Sequence, residues 1–223
     1  MKPTVLMPIA MIALMLLAAP AGATMQYFTN QSEWIAATSG VFTIDFSGVV
    51  VPDVPGYVDY SIGGLQLHNV DFRANPEALE GVQVCSLGCE QRNSFSGNYL
   101  RGNTFGSKFF QATLPADVYA LSMLVLTDPR GSTVTFSFSS SETKVMTTYT
   151  DTVPDFFGVI SDQAIQWVRM ESDGTNTVLL DNFAYGEAAV PEANSIWLAG
   201  AGILTLWAAR RLRRLRLQPV RRG

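Results

Sequence analysis

From Val41 onward the chain alternates apolar and polar side chains in short runs. In Val41-Phe42-Thr43-Ile44-Asp45-Phe46, the residues Phe42, Ile44 and Phe46 fall on one side. In Thr133 to Phe138, Val134, Phe136 and Phe138 fall on one side and Thr133, Thr135 and Ser137 on the other. Successive side chains of an extended chain point to opposite faces, so a period of two with one apolar face predicts a half-buried strand. Leu65 to Phe72, Thr143 to Tyr149, Ile165 to Met170 and Thr177 to Phe183 are further strand candidates. Val118 to Leu126, apolar almost throughout, predicts a central strand covered on both faces. Turn-forming groups punctuate these runs: Gly63-Gly64, Asp128-Pro129-Arg130-Gly131, Ser139-Ser140-Ser141 and Ser172-Asp173-Gly174. Many short strands with such punctuation predict an all-β fold, a β-sandwich or jelly roll. One short helix comes first. Asn30 is placed to cap it, Glu33 to reach back to the cap, and Trp34, Ile35 and Ala36 to give an apolar side that closes one end of the sandwich.

The two ends break this texture. Lys2 opens a positive start, Met7 to Ala19 is dominated by Ile, Leu, Met and Ala, Pro20 interrupts, and Ala21-Gly22-Ala23 is a small-x-small site for signal peptidase. Residues 1–23 therefore read as a signal peptide, with the mature chain beginning at Thr24. At the other end, Val190-Pro191-Glu192-Ala193-Asn194 precedes the apolar run Ile196 to Ala209 and then Arg210, Arg211, Arg213, Arg214 and Arg216. Pro191 has no N–H and biases Val190 toward extended geometry, which separates the apolar helix from the domain. Fourteen helical residues span about 21 Å against a hydrocarbon core of about 30 Å, so the segment predicts a short, weak transmembrane helix. Trp197 and Trp207 suit the headgroup boundary, and the arginines hold their end in the cytoplasm. The predicted organisation is a signal peptide (1–23), a β-sandwich ectodomain (24–187), a Pro-Glu linker (188–195), a membrane helix (196–209) and a basic cytoplasmic tail (210–223).

A Pro-Glu breaker, a short apolar helix with Gly200-Ala201-Gly202, and an arginine cluster in that order resemble the C-terminal sorting segment of the PEP-CTERM proteins. Those are substrates of exosortases in Gram-negative bacteria that make exopolysaccharide. The resemblance covers Val190 to about Arg216, and its sorting motif falls on Val190, Pro191, Glu192 and Ala193. Ala193 stands where the family usually has a second proline. The resemblance implies an exosortase-like processing protease as partner, transient residence in the inner membrane, and delivery to the cell surface or extracellular matrix. The helix ahead of Thr43-Ile44-Asp45-Phe46, with Phe156 to Asp162 and Leu179 to Gly186, also resembles the jelly-roll ectodomains that precede this tail. Some of those bind carbohydrate, so exopolysaccharide is an implied partner.

Setting the ends aside changes the charge. The whole chain carries −4, but residues 24–187 hold eighteen acidic side chains against seven basic ones, a net of −11. An acidic domain repels phosphate backbones, which argues against nucleic acid as a partner. Its 164 residues suffice for one core. Cys85 and Cys89 are separated by Ser86-Leu87-Gly88, and in an oxidising compartment this spacing predicts a disulfide clip; a redox pair more often has two intervening residues, and zinc needs two more ligands.

Candidate chemistry is sparse. His68 is the single histidine, so a multi-histidine metal centre is excluded and a nucleophile-histidine enzyme would depend on His68 alone. No GxSxG elbow, P-loop or dinucleotide fingerprint accompanies it, and the sequence predicts no enzyme. No cofactor is expected, with one exception. Asp45, Asp181 and Asn182 are hard oxygen donors that a sandwich topology could bring together for a structural calcium; the same side chains equally cap turns. For a ligand, the candidate aromatics are Tyr57, Tyr60, Phe95, Tyr99, Phe105, Phe109 and Phe110, and Arg92 to Lys108 mixes aromatics with amides and cations, so that Tyr99, Arg101 and Asn103 are its chosen contacts; the alternative is that these aromatics pack in the core or under loops. Three readings follow: an exported, non-catalytic sandwich that binds polysaccharide; a purely structural matrix or adhesion component; and a secreted hydrolase, which requires a cleft holding His68 or a close carboxylate pair.

Overall fold

The alternation resolves into two antiparallel sheets packed face to face. A computed structural model of the chain describes residues 23–52, 56–60, 64–74, 81–86, 89, 95–102, 109–128, 131–149, 153–173 and 177–189. The expected signal peptide up to residue 22, the sorting motif, the membrane helix and the arginine tail lie outside the described residues. The elements are β1 (Met25–Phe28), α1 (Gln31–Ala36), β2 (Thr38–Ile44), β3 (Tyr57–Tyr60), β4 (Leu65–Leu67), β5 (Val70–Ala74), β6 (Val82–Cys85), β7 (Tyr99–Arg101), β8 (Phe109–Thr113), β9 (Ala120–Asp128), β10 (Thr133–Phe138), β11 (Thr143–Thr147), β12 (Asp155–Ser161), β13 (Trp167–Ser172) and β14 (Thr177–Ala188). Among the described residues the larger sheet runs β1-β12-β9-β14-β7-β6-β3, with β2 also paired to β14, and the smaller runs β11-β10-β13-β8-β5-β4. This is the predicted β-sandwich of jelly-roll type.

The core lies between the sheets and takes one face of each strand. Leu121, Met123 and Val125 of β9, Leu180 and Phe183 of β14, and Phe157 and Val159 of β12 meet Val134, Phe136 and Phe138 of β10, Val168 and Met170 of β13, and Phe72 of β5. Phe136 stacks flat on Phe157 at 3.8 Å between ring centroids, and Phe72 meets Phe183 edge-on at 5.1 Å. Strand β9 sits between β12 and β14, as its uninterrupted apolar run predicts. Its alternate residues Ala120 and Leu126 are buried on the far side as well.

That far side of the larger sheet is covered twice. One cover is α1. Asn30 caps it, accepting from Ser32 N at 2.9 Å and Glu33 N at 3.3 Å. The six-residue helix turns one large side chain inward. Trp34 is 1% exposed, packs with Phe28, Ala120, Ala184, Phe156 and Ile160, and donates its Nε1 to the Val159 carbonyl at 3.2 Å. A Cβ on Gly158 would fall 2.7 Å from Trp34 Cδ1, so the indole needs glycine beneath it. The expected apolar side of Trp34, Ile35 and Ala36 is corrected here: Ile35 is 53% exposed and Ala36 points outward, because so short a helix has room for one inward position. The helix covers a sheet face instead of closing an end of the sandwich. The second cover joins Phe95, stacked on Tyr99 at 5.1 Å, to Cys85, Leu126 and Leu179.

Three further expectations change. The predicted strand Leu65 to Phe72 is a hairpin, β4 paired with β5, broken at His68-Asn69. Both turn residues have positive φ, 48° and 65°, the signature of a type I′ turn, whose twist suits a two-residue hairpin. Strand β14 runs on to Ala188, and a bulge between Asp181 and Ala184, with Asn182 at φ 49°, lets it pair with β2 at one end and β7 at the other. Phe42 shares a face with Ile44 yet stays 40% exposed, its ring tilted against His68 at 4.5 Å and near Tyr185 at 5.7 Å.

Candidate functional site

Among the described residues, the outer face of the smaller sheet carries no such cover. Along β13 the burial alternates, with Val168, Met170 and Ser172 buried and Trp167, Arg169 and Glu171 facing out. Strands β8, β10 and β5 repeat the pattern, presenting Phe109, Gln111 and Thr113, then Thr133, Thr135 and Ser137, then Asp71 and Arg73. The ladder aligns these side chains in rows across the strands. One row runs Arg73, Gln111, Arg169, Ser137, Thr143; beside it run Gln66, Asp71, Thr113 and Trp167. Four steps between neighbouring strands make the first row roughly 19 Å long.

Arg169 is the centre of this face. Its guanidinium carbon lies 4.0 Å from the Phe109 ring centroid and 5.6 Å from that of Trp167, so two aromatic faces flank one cation. Its Nη2 donates to Gln111 Oε1 at 3.4 Å, and Gln111 Nε2 donates onward to Thr113 Oγ1 at 3.4 Å. At the margin Arg73 Nε donates to Asp71 Oδ2 at 2.6 Å, an ion pair that fixes both side chains at the β4–β5 edge. Gly64, at φ 76°, permits that edge: a Cβ there would come within 2.7 Å of the Phe72 carbonyl and 2.9 Å of Asp71 Oδ1. The face therefore offers flat apolar rings beside amide, hydroxyl, carboxylate and guanidinium groups, the set that recognises a polyhydroxylated ring through its apolar face and its rim.

Of the aromatics that the sequence offers as ligand contacts, Phe109 lies on this face, whereas the chosen Tyr99 and Arg101 lie on the larger sheet. Tyr99, chosen as a ligand contact, is 0% exposed beneath Phe95 on the larger sheet, because alternation along the three-residue β7 turns it under that cover. Arg101, two residues on, shares that side, and Asn103 lies outside the described residues. The expected Cys85–Cys89 bridge is not formed; both are free thiols. Burial, then the neighbouring Cys89 thiol, pushes Cys85 up to about 12, so the apolar surroundings hold it protonated and unreactive.

Asp45 and Asp181 do come together, as the β2–β14 pairing of Ile44 with Phe183 requires. Asp45 is held low, chiefly by the Ser47 hydroxyl at 2.8 Å and then by the Ser47 N–H at 3.1 Å. Asp181 is 4% exposed, and burial first, with the Asp45 charge adding, pushes it up to about 6 against the N–H of Asn182 at 2.7 Å. The backbone thus already occupies one oxygen of each. Among the described residues no group of three or more His, Cys, Asp or Glu side chains converges. His68 is spent on packing against Phe42, and its carbonyl accepts from Tyr185 Oη at 2.8 Å. Burial of Asp181 leaves its carboxyl little access to a substrate oxygen.

No family model and no curated protein matches the chain. Among solved structures it is similar to a mutant of CBM29-2, a family 29 carbohydrate-binding module, complexed with mannohexaose: 9% identity over 66% of this chain and 92% of that one, TM-score 0.34. It is similar also to the CBM22-1–GH10 modules of Clostridium thermocellum endo-1,4-β-D-xylanase 10B complexed with xylohexaose, at 10% identity over 67% of this chain and 29% of that one, TM-score 0.34. A third is a family 29 carbohydrate-binding module at 11% identity over 74% and 90%, TM-score 0.29. Likeness at this level assigns this chain no ligand.

Proposed function

We propose that the protein is a non-catalytic, exported sandwich that binds polysaccharide across the outer face of its smaller sheet and is sorted by its C-terminal segment to the cell surface or extracellular matrix. The observation that carries the binding is the setting of Arg169 between Phe109 and Trp167, with Gln111 in bonding reach, on the sheet face that nothing in the described structure covers. An aromatic and a guanidinium held flat on rigid strands cost little ordering entropy when a ligand arrives. The delivery half rests on the sequence alone: the signal peptide ending at Ala23, the Pro191-Glu192 breaker, the short apolar run and the arginines.

Each half has its own test. A glycan array probed with the full-length protein shows binding to at least one polysaccharide, and Trp167→Ala removes it; self-association with no glycan bound would replace this reading by a structural matrix role. For delivery, the intact mass of a C-terminally tagged protein drops by the tail after Pro191 in a host carrying an exosortase and stays whole in one without it. Retention of the tail in both would make it a simple anchor.

A further inference from the structure

We infer that the polysaccharide taken by this face is acidic, a uronate-bearing polymer whose carboxylate is received by Arg169, an inference that rests on the glycan-binding reading above. Among the described residues the ion pair is Arg73 with Asp71, so Arg169 carries its charge without a carboxylate partner. Its surroundings are unusual for a cation left alone. The side chain is half-buried, Nε is buried with no hydrogen-bond partner, and its one side-chain hydrogen bond among the described residues, to Gln111, is long at 3.4 Å. Removing a charge from water carries a cost that π faces return only in part. Glu171, two residues along the same strand, is exposed and makes no ion pair with it.

The geometry says what would complete it. A guanidinium is a planar fork that matches a carboxylate with two parallel bonds, and rings at 4.0 and 5.6 Å fix the plane of this fork before any ligand arrives. Neutral hydroxyls would accept single hydrogen bonds and leave the charge uncompensated. The net of −11 over residues 24–187 sharpens the point, because so acidic a domain gives no general attraction for polyanions. With Arg73 already paired to Asp71, preference for an acidic polymer must then come from Arg169, with Trp167 and Phe109 supplying the sugar-ring contact common to acidic and neutral chains.

The test uses the full-length protein with alginate and polygalacturonate, each beside its carboxyl-reduced neutral counterpart, in equilibrium binding at physiological salt. The wild type binds at least one acidic polymer about tenfold or more tighter than its reduced form. Arg169→Gln removes that difference while retaining binding to the reduced polymer, Arg169→Lys keeps part of it, and Trp167→Ala weakens both. Equal wild-type binding to acidic and reduced forms overturns the inference and leaves glycan binding standing. Binding to none of the four polymers, nor to a neutral glycan panel, overturns the glycan reading and the inference with it. Preference surviving in a folded Arg169→Gln protein, its melt matching wild type, would remove the role given to Arg169.

Discussion

The two sheets share one core, and their outer faces have opposite fates. On the larger sheet the outward positions are Ala120, Leu126, Phe156, Leu179 and Ala184, and the chain lays Trp34 and Phe95 over them. On the smaller sheet the outward positions are Thr133, Thr135, Ser137, Gln111, Thr113 and Asp71, and the chain lays nothing described over them. Apolar surface is removed from water and hydroxyl surface is left in it, so the difference follows from hydration. The informative departure is that Phe109, Trp167 and Arg169 sit among the hydroxyls. Large rings on a face that the described residues leave wet are candidates for a ligand's contact.

The comparison can be broken with matched substitutions, the largest effect first. Trp34→Ala empties a fully buried site and is expected to lower unfolding stability by about 3–5 kcal/mol in denaturant titration, with binding per folded molecule unchanged. Asp181 gives the next effect, and its sign is fixed by its position. Its pKa rises on folding from the ordinary 3.8 to about 6, so the protonated form is favoured in the folded state. The stability it contributes is complete below about pH 4 and is lost as pH rises through about 6. Asp181→Asn should therefore raise stability at pH 7 by about 1–3 kcal/mol and flatten the profile between those limits. Thermal melts of both proteins across pH 4–7 check this, and a wild type that gains stability over that window through Asp181 would contradict it. Gly64→Ala, which places a methyl at positive φ against the Phe72 carbonyl, is expected to cost about 1–2 kcal/mol and to disturb the Arg73–Asp71 pair. Ile35→Ser, on the outward side of the covering helix, should change stability by no more than about 0.5 kcal/mol.

Much of the sandwich was legible because period two is a strong signal wherever one face is wet. Thr133 to Phe138 is read to the residue, and β9 is recognised from its apolar run. The hairpin inside Leu65 to Phe72 was not, because His68-Asn69 carries no glycine and positive φ at both residues is left to tertiary packing against Phe42 and Tyr185. Strands β3, β6 and β7 run three or four residues, too short for periodicity to declare itself, and all four residues of β6 are buried.

The site was less legible than the fold. The loop-like stretch rich in aromatics and amides reads as a ligand surface, yet its Tyr99 is part of a cover. Phe109 is among the aromatics that the sequence offers, but Trp167 and Arg169 of β13 and Phe109 and Gln111 of β8 are joined only by the β13–β8 register. A signal for them did exist. Within Ile165 to Met170 the outward positions of the predicted strand hold a tryptophan and an arginine where threonine or serine would suffice.

The central claim sets Trp167 against Trp34, two tryptophans on outer faces with different purposes. Binding of Trp167→Ala and Trp34→Ala to the polysaccharide that wild type binds best, measured by titration calorimetry on protein shown to be folded, separates them most directly. The predicted result is a loss of about tenfold or more in affinity for Trp167→Ala at nearly unchanged stability, against unchanged affinity per folded molecule for Trp34→Ala. Wild-type affinity in Trp167→Ala would place the ligand elsewhere and contradict the assignment of this face.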